Sequence, residues 1–335
     1  MARAARIRVS GGWYHVCSRG HNREGVFSDA TDYSHFVDLL EEMRERFRVR
    51  LYAYCLMPNH YHLLMGTPQG NISRAMQWLN GSYGIWHNRR HQRTGHLMGD
   101  RYKGILVEGA VWGLQASVYI HTNPVATEAM GLGKRQRAAQ RRGLAAPPTP
   151  EEVARRLGVL RSYAWTSYRA YAGYRPSPRW LDRDVLLKRA GKDGEASYRE
   201  LVESRIRQGV EEDLGSKVRW GLILGGERFA KKVRGRIRVH REHAGRNEWK
   251  RQKDFEEIVA MVERIKGEKW AAFRDRYGDW GRDLALWAGR LQGGLSLRAL
   301  GELAGGMDYG AVALAVRRLS ARAQKDRATP GHEED

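Results

Sequence analysis

The stretch Leu56-Met57-Pro58-Asn59-His60-Tyr61-His62-Leu63-Leu64-Met65 places two histidines two residues apart inside an apolar run. A strand alternates faces with period two. His60, His62 and Leu64 therefore share one face, and Tyr61, Leu63 and Met65 the other. The second face is apolar enough to anchor the strand in a core. The first carries two imidazoles that can share a metal ion. Spacing alone leaves two readings open: two half-buried histidines, or one half of a metal site.

Upstream of this strand, Val49 to Met57 alternates β-favoured residues, and Pro58-Asn59 separates the two runs. The connection is too short for a helical crossover, so the pair is expected to form an antiparallel hairpin. A first strand is read around Trp13 to Cys17. A helix over 31–47 carries the stripe Phe36, Leu39, Leu40, Met43 and Phe47, with Ser28, Asp29 and Thr31 as candidate caps. A second helix covers about 71–91, with a basic tail at Arg89, Arg90, His91 and Arg93. Arg101 to Val107 gives a fourth strand, and a third helix runs from about Ala110 to Asn123, stopped by Pro124. The order β-α-β-β-α-β-α suits an α+β fold, a ferredoxin-like antiparallel sheet with helices on one face.

Tyr119 and Asn123 are four residues apart on the third helix and share a face, with Gln115 on the same stripe. A tyrosine hydroxyl there can attack a phosphodiester. An amide oxygen one turn on can join two imidazoles around Mg²⁺ or Mn²⁺. Equally, a helical tyrosine before an Asn-Pro stop reads as ordinary core or surface.

Composition narrows the partner. The chain has 335 residues, with 59 basic against 38 acidic, a formal +21; 11 Trp and 15 Tyr accompany that charge. Such a balance attracts polyanions, and the aromatic content favours nucleic acid over a membrane surface. Hydrophobic residues at 41% exclude a disordered chain. No run is long enough for a membrane span, and no apolar stretch follows the basic N-terminus as a secretory signal would require. The two cysteines, Cys17 and Cys55, lack zinc-site spacing and suit a reducing cytoplasm.

Residues 131–150 break the pattern. KRQRAAQRR is followed by GLAAPPTP, which reads as a linker or insertion, the basic run being either a solvated tether or a phosphate-contacting arm. The aromatic stretch Ser162–Trp180 is expected to pack back on the first domain, with some rings open to unpaired bases. Residues 182–245 read as helical, with a basic segment at Lys231–Arg246. The last segment, about 251–325, reads as a separate module: a stripe through Phe255, Ile258, Val262 and Ile265, a helix over Arg282–Leu291, then a short helix, a glycine turn and a helix over about 308–321. A plain three-helix bundle and a DNA-binding helix-turn-helix both fit; the basic residues Arg317, Arg318 and Arg322 suit phosphate contacts.

These strings carry a family resemblance. His60-Tyr61-His62 looks like the HUH motif of single-tyrosine nucleases. The wider run Ala53 to Leu64 resembles REP-associated tyrosine transposases. So, in order, do Tyr14-His15-Val16 with Ser18-Arg19-Gly20, Gly95-His96-Leu97 with Arg101-Tyr102-Lys103, Tyr119-Ile120-His121-Thr122-Asn123-Pro124-Val125, and Trp165-Thr166-Ser167-Tyr168-Arg169. The resemblance covers about residues 7–190. It implies that Tyr119 is the nucleophile, that His60, His62 and Asn123 hold a divalent metal, and that a 5′-phosphotyrosine intermediate forms on hairpin or folded single-stranded DNA. The basic insertion at about 131–160 departs from the family's spacing. On charge, Arg19, Arg101 and Lys103 are expected to steer the backbone.

The C-terminal module resembles the DNA-binding domain of DnaA-type initiators through Ser296-Leu297, Leu300-Gly301, Gly305-Gly306, Asp308 and Val312. This implies contacts to duplex DNA from Arg298, Asp308, Tyr309, Arg317 and Arg318, although the family's Arg-Asp-His signature reads Met307-Asp308-Tyr309 here. The expected organisation is a nuclease domain over 1–185, a helical connection over 186–250 and the helix-turn-helix domain over 251–335. The chain is expected to be a cytoplasmic, nucleoid-associated DNA nicking and rejoining enzyme. Its rivals are a non-catalytic, sequence-specific DNA-binding regulator and an HUH replication initiator or relaxase.

Overall fold

The alternation around Pro58-Asn59 does produce a hairpin. In the computed structural model, β2 (Arg50–Met57) and β3 (His60–Thr67) pair antiparallel, with Cys55 opposite His62 and Met57 opposite His60. The structure describes residues 7–133, 136, 139, 147–208, 214–215, 217–219, 221–236 and 253–328. They fall into two compact units, one within Arg6–Ile237 and the other within Arg238–Asp335.

In the first unit, β1 (Gly12–Arg19) lies between β3 and β4 (Lys103–Val107), antiparallel to both. The order β2-β3-β1-β4 is the ferredoxin-like arrangement expected from the sequence. Two strands extend it: β5 (Val218–Arg219) and β6 (Ile223–Leu224), giving β2-β3-β1-β4-β6-β5. The β4–β6 pair is parallel, so the sheet is not wholly antiparallel. The region read as purely helical over 182–245 supplies this edge.

Helices α1 (Ala30–Phe47) and α2 (Ile72–Arg90) cover one face. Asp29 starts α1, its carboxylate accepting the backbone N–H of Thr31 and Asp32 at 2.9 and 3.1 Å, which satisfies donors that no turn precedes. The ring of Tyr61 packs 4.8 Å from Phe36, and its hydroxyl donates to Asn80 Oδ1 at 2.5 Å. Helix α3 (Gly109–Thr122) lies on the opposite face. It approaches β1 at Gly113, where a Cβ would sit 2.7 Å from the Trp13 ring. Helices thus occupy both faces of the sheet. A β-α-β-β-α-β order dictates the side of α1 and α2 through right-handed crossovers, and places no such constraint on α3, which follows the last strand of that unit.

The outer side of α3 is covered too. Helices α4 (Pro150–Ser162), α5 (Tyr168–Tyr171), α6 (Asp184–Ala190) and α7 (Glu195–Gln208) follow, and α6 and α7 both pack on α3. His121 is buried there, bonded through Nδ1 to the Tyr198 hydroxyl and through Nε2 to Ser167 Oγ, each at 2.7 Å. The aromatic stretch packs back as expected: Trp165 O accepts Leu56 N–H at 2.9 Å and the Tyr163 hydroxyl donates to Leu56 O at 2.6 Å. Tyr168 and Tyr171 are fully buried, so neither ring is open to a base. Of the insertion, residues 150–160 belong to α4, capped by Thr149 and Glu152; KRQRAAQRR lies largely outside the described residues. Helix α8 (Glu227–Arg236) closes the unit; the rest of the basic segment to Arg246 lies outside the described residues.

The second unit is all-helical: α9 (Phe255–Lys266), α10 (Trp270–Phe273), α11 (Trp280–Leu291), α12 (Leu297–Leu303) and α13 (Tyr309–Ala328). Its core joins Phe255, Ile258, Val262, Phe273, Leu286 and Leu300 with others. Gly305 and Gly306 turn the chain between α12 and α13 at φ of 81° and 90°, a backbone region that favours glycine. No helix among the described residues is long and apolar enough to cross a membrane.

Candidate active site

Period two carries three imidazoles to one face. His60 and His62 alternate along β3, and the β1 register sets Cys17 opposite His62, Arg19 opposite His60 and His15 opposite Leu64. His15 and His62 meet: Nε2 of His15 and Nδ1 of His62 share a hydrogen bond of 2.9 Å. Burial lowers the basicity of all three. The pKa of His15 falls to about 4, by desolvation and then by nearby Lys103. That of His60 also falls to about 4, by desolvation and then Arg19. His62 is pushed well below the usual range by desolvation and by its two imidazole neighbours. At neutral pH these are uncharged imidazoles, the form that ligates metals.

The hydrogen bonds fix which ring nitrogen each imidazole leaves open. The Asn59 side-chain NH₂ donates to the Arg23 carbonyl at 3.1 Å, so its Oδ1 turns to His60 Nδ1 at 2.7 Å. An amide oxygen only accepts. His60 therefore carries its proton on Nδ1 and presents the lone pair of Nε2. For His62, Nδ1 is engaged by His15, which leaves Nε2 as the donor atom. Partners on the far nitrogen orient metal-binding histidines generally.

Helix α3 brings Tyr119 to this face. Its ring meets His15 edge-on at 5.6 Å and His62 at 5.9 Å between centroids, in the same chain. Asn123, at the C-terminal end of α3, donates its side-chain NH₂ to the Tyr119 carbonyl at 2.8 Å, so any ligand atom it supplies is its oxygen. Gln115, grouped with them by spacing, instead accepts from Arg205 at 2.5 Å.

The expected basic residues separate. Arg19 and Lys103 are exposed on strands that carry the histidine face. Arg101 lines a different feature, a cavity of about 710 Å³ bounded by α2 and the 95–102 loop, with Arg8, Asn80, Asn88 and His96. In the second unit Asp308, Tyr309 and Arg317 are exposed. Arg298 pairs with Glu302 at 3.2 Å, and Arg318 with the buried Asp283 at 3.0 Å, so these two cations already have carboxylate partners.

His15 and Asn59 belong to the site although the sequence did not single them out for it. The signal for Asn59 is its adjacency to His60. That for His15 is its parity with Cys17 in β1, which becomes informative only once the β1–β3 register is known.

The site thus sets a helical tyrosine, Tyr119, against paired strand histidines. Residues 8–123, from β1 through the end of α3, match the family described as "Transposase IS200 like". A solved structure of a REP-associated tyrosine transposase bound to a REP hairpin is similar at 12% identity, over 55% of this chain and 93% of that one, with a TM-score of 0.37. No curated protein matches the chain.

Proposed function

We propose that the chain is a metal-dependent, single-tyrosine endonuclease and strand transferase for hairpin-bearing or folded single-stranded DNA. The observation that carries this reading is the packing of Tyr119 against His15 and His62 on the face that also holds His60. The first unit is the nuclease. The basic surplus of the chain favours a polyanionic substrate.

His60 Nε2, His62 Nε2 and the Asn123 amide oxygen would hold Mg²⁺ or Mn²⁺; two neutral imidazoles and an amide oxygen fit such an ion, which when bound polarises the scissile phosphate. The Tyr119 oxygen attacks phosphorus in line and its proton passes to solvent. The bond to the 3′-oxygen breaks, that oxygen takes up a proton, and the 5′-phosphate stays on Tyr119. Phenol, with a reference pKa of about 10, is a tolerable leaving group. A new 3′-hydroxyl can therefore reverse the step and join a different strand. Arg19 and Lys103 hold the backbone beside the histidines. Tyr119 packs against histidines of its own chain, which favours attack in cis. In the second unit, Tyr309 and Arg317 on the first turns and outer face of α13 would contact duplex DNA.

The test is incubation with hairpin-bearing single-stranded DNA and Mn²⁺, followed by a denaturing gel. The wild-type chain forms a metal-dependent covalent adduct and Tyr119→Phe forms none. An adduct that persists in Tyr119→Phe, or its absence in wild type with either metal, overturns the assignment.

A further inference from the structure

Away from the histidine face, α1 and α2 bring a carboxylate and two imidazoles together. Asp32, in the first turn of α1, is fully buried. His87 and His91 are one helical turn apart at the end of α2, with ring centroids 4.3 Å apart. His87 Nε2 lies 3.7 Å from Asp32 Oδ2, and His91 Nε2 lies 3.1 Å from the same oxygen. One donor atom from each residue falls within 4.8 Å of the others.

His87 is the informative member. It is 1% exposed, and neither of its ring nitrogens has a hydrogen-bond partner among the described residues. A buried polar ring left unsatisfied is destabilising, so such a group ordinarily has a hydrogen-bond partner or a ligand. Here Nε2 faces a carboxylate at a distance too long for a hydrogen bond. Two zinc ligands at about 2.0–2.1 Å and a tetrahedral angle stand roughly 3.3 Å apart. The observed 3.1 and 3.7 Å bracket that spacing.

We propose that Asp32, His87 and His91 form a second metal site, selective for Zn²⁺ or a similar transition-metal ion, that clips the start of α1 to the end of α2. Two imidazoles and one carboxylate are a donor set that suits zinc. Water completes the coordination, His91 being on the solvent side at 23% exposure. Arg90 also reaches the cluster, its Nη1 lying 3.0 Å from His91 Nε2, so an ion bound there displaces that contact. Its guanidinium bonds Asp32 Oδ1 at 2.6 Å and Asp29 Oδ2 at 2.7 Å. Oδ2 of Asp32 accepts the Ser28 N–H at 2.7 Å and still faces both histidines, and Asp29 remains as the carboxylate partner of Arg90. Two carboxylates against one guanidinium give the cluster a net negative charge for a cation to neutralise. The proposal does not depend on the catalytic reading.

The full chain carrying His60→Ala and His62→Ala, which removes the other histidine pair, is titrated with Zn²⁺ against a chromophoric chelator and with Co²⁺ by visible absorption. It binds one equivalent, shows the intense bands of four-coordinate cobalt, and melts at a higher temperature with Zn²⁺. Adding His91→Ala, a partly exposed position at the rim of the cluster, weakens zinc binding by at least about tenfold and abolishes the rise in melting temperature. Asp32→Asn does the same. Equal zinc affinity with and without His91→Ala, or no rise in melting temperature in the parent, overturns the site.

Discussion

Nε2 of His15 and Nδ1 of His62 lie 2.9 Å apart in a buried pair, which makes His15 the group that sets the tautomer of a proposed metal ligand. His62 can present Nε2 to an ion only if its proton sits on Nδ1 and is donated to His15. Replacing His15 with Ala leaves that proton without an acceptor. The expected result is a roughly 10–100-fold rise in the Mn²⁺ concentration needed for half-maximal cleavage, with His15→Gln recovering part of the loss because its amide oxygen can accept. An unchanged metal requirement in His15→Ala contradicts this role.

Asn59 acts in the same way on His60. Asn59→Asp keeps an acceptor at His60 Nδ1 but loses the donor to the Arg23 carbonyl, whereas Asn59→Leu loses both. Metal titrations of cleavage should order the variants wild type, Asn59→Asp, Asn59→Leu from lowest to highest requirement. Equal requirements in all three sink the assignment.

The buried histidines also set an acid limit on stability. His15 and His60 titrate at about 4 and His121 at about 3, each lowered first by burial, against a model-peptide value of about 6.5. The unfolded chain therefore binds more protons than the folded one below that value. Their contribution is fully present above about pH 6.5 and is lost as pH falls toward 4. Thermal unfolding of the first unit, followed by near-ultraviolet dichroism, should show a falling midpoint over that window. A midpoint that rises there contradicts the buried neutral state.

Gly301 lies where α12 meets the turn that follows it. A Cβ there would stand 2.3 Å from the Met307 carbonyl oxygen. Backbone must move to admit it, so Gly301→Ala is expected to cost the second unit about 1–3 kcal/mol, measurable by urea denaturation of the full chain. A neutral effect would mean that the α12–α13 corner is looser than described.

For the second unit, Arg317→Ala should weaken binding to duplex DNA uniformly across sequences and reduce the slope of log affinity against log salt by about 1. Arg318→Ala, whose guanidinium is held by Asp283, should lower stability more than it lowers that slope. Fluorescence anisotropy across a salt series distinguishes the two.

Much of the fold was legible because its signals are local. The β2–β3 hairpin follows from alternation on either side of Pro58-Asn59, and α1 from a stripe and a cap. Tyr119 and Asn123 were legible as a helical pair. What the sequence hid depends on register and on distant pairing. His15 joins His62 only through β1–β3 pairing across 47 positions. Strands β5 and β6 have two residues each, too few for alternation to show. Helix α3 is buried by the sheet on one side and by α6 and α7 on the other, so it lacks the amphipathic stripe that would have assigned its face. Asp32 sits beside the cap residue of α1, and His87 and His91 lie at a basic helix end; nothing local joins them.

The most direct measurement of the central claim is mass spectrometry of the trapped protein–DNA adduct after nuclease and protease digestion. The account places a 5′-phosphorylated nucleotide on the peptide containing Tyr119, at the Tyr119 hydroxyl, formed only with Mg²⁺ or Mn²⁺ and absent from His60→Ala. A nucleotide on any other residue, or an adduct at Tyr119 that forms equally well without His60, contradicts it.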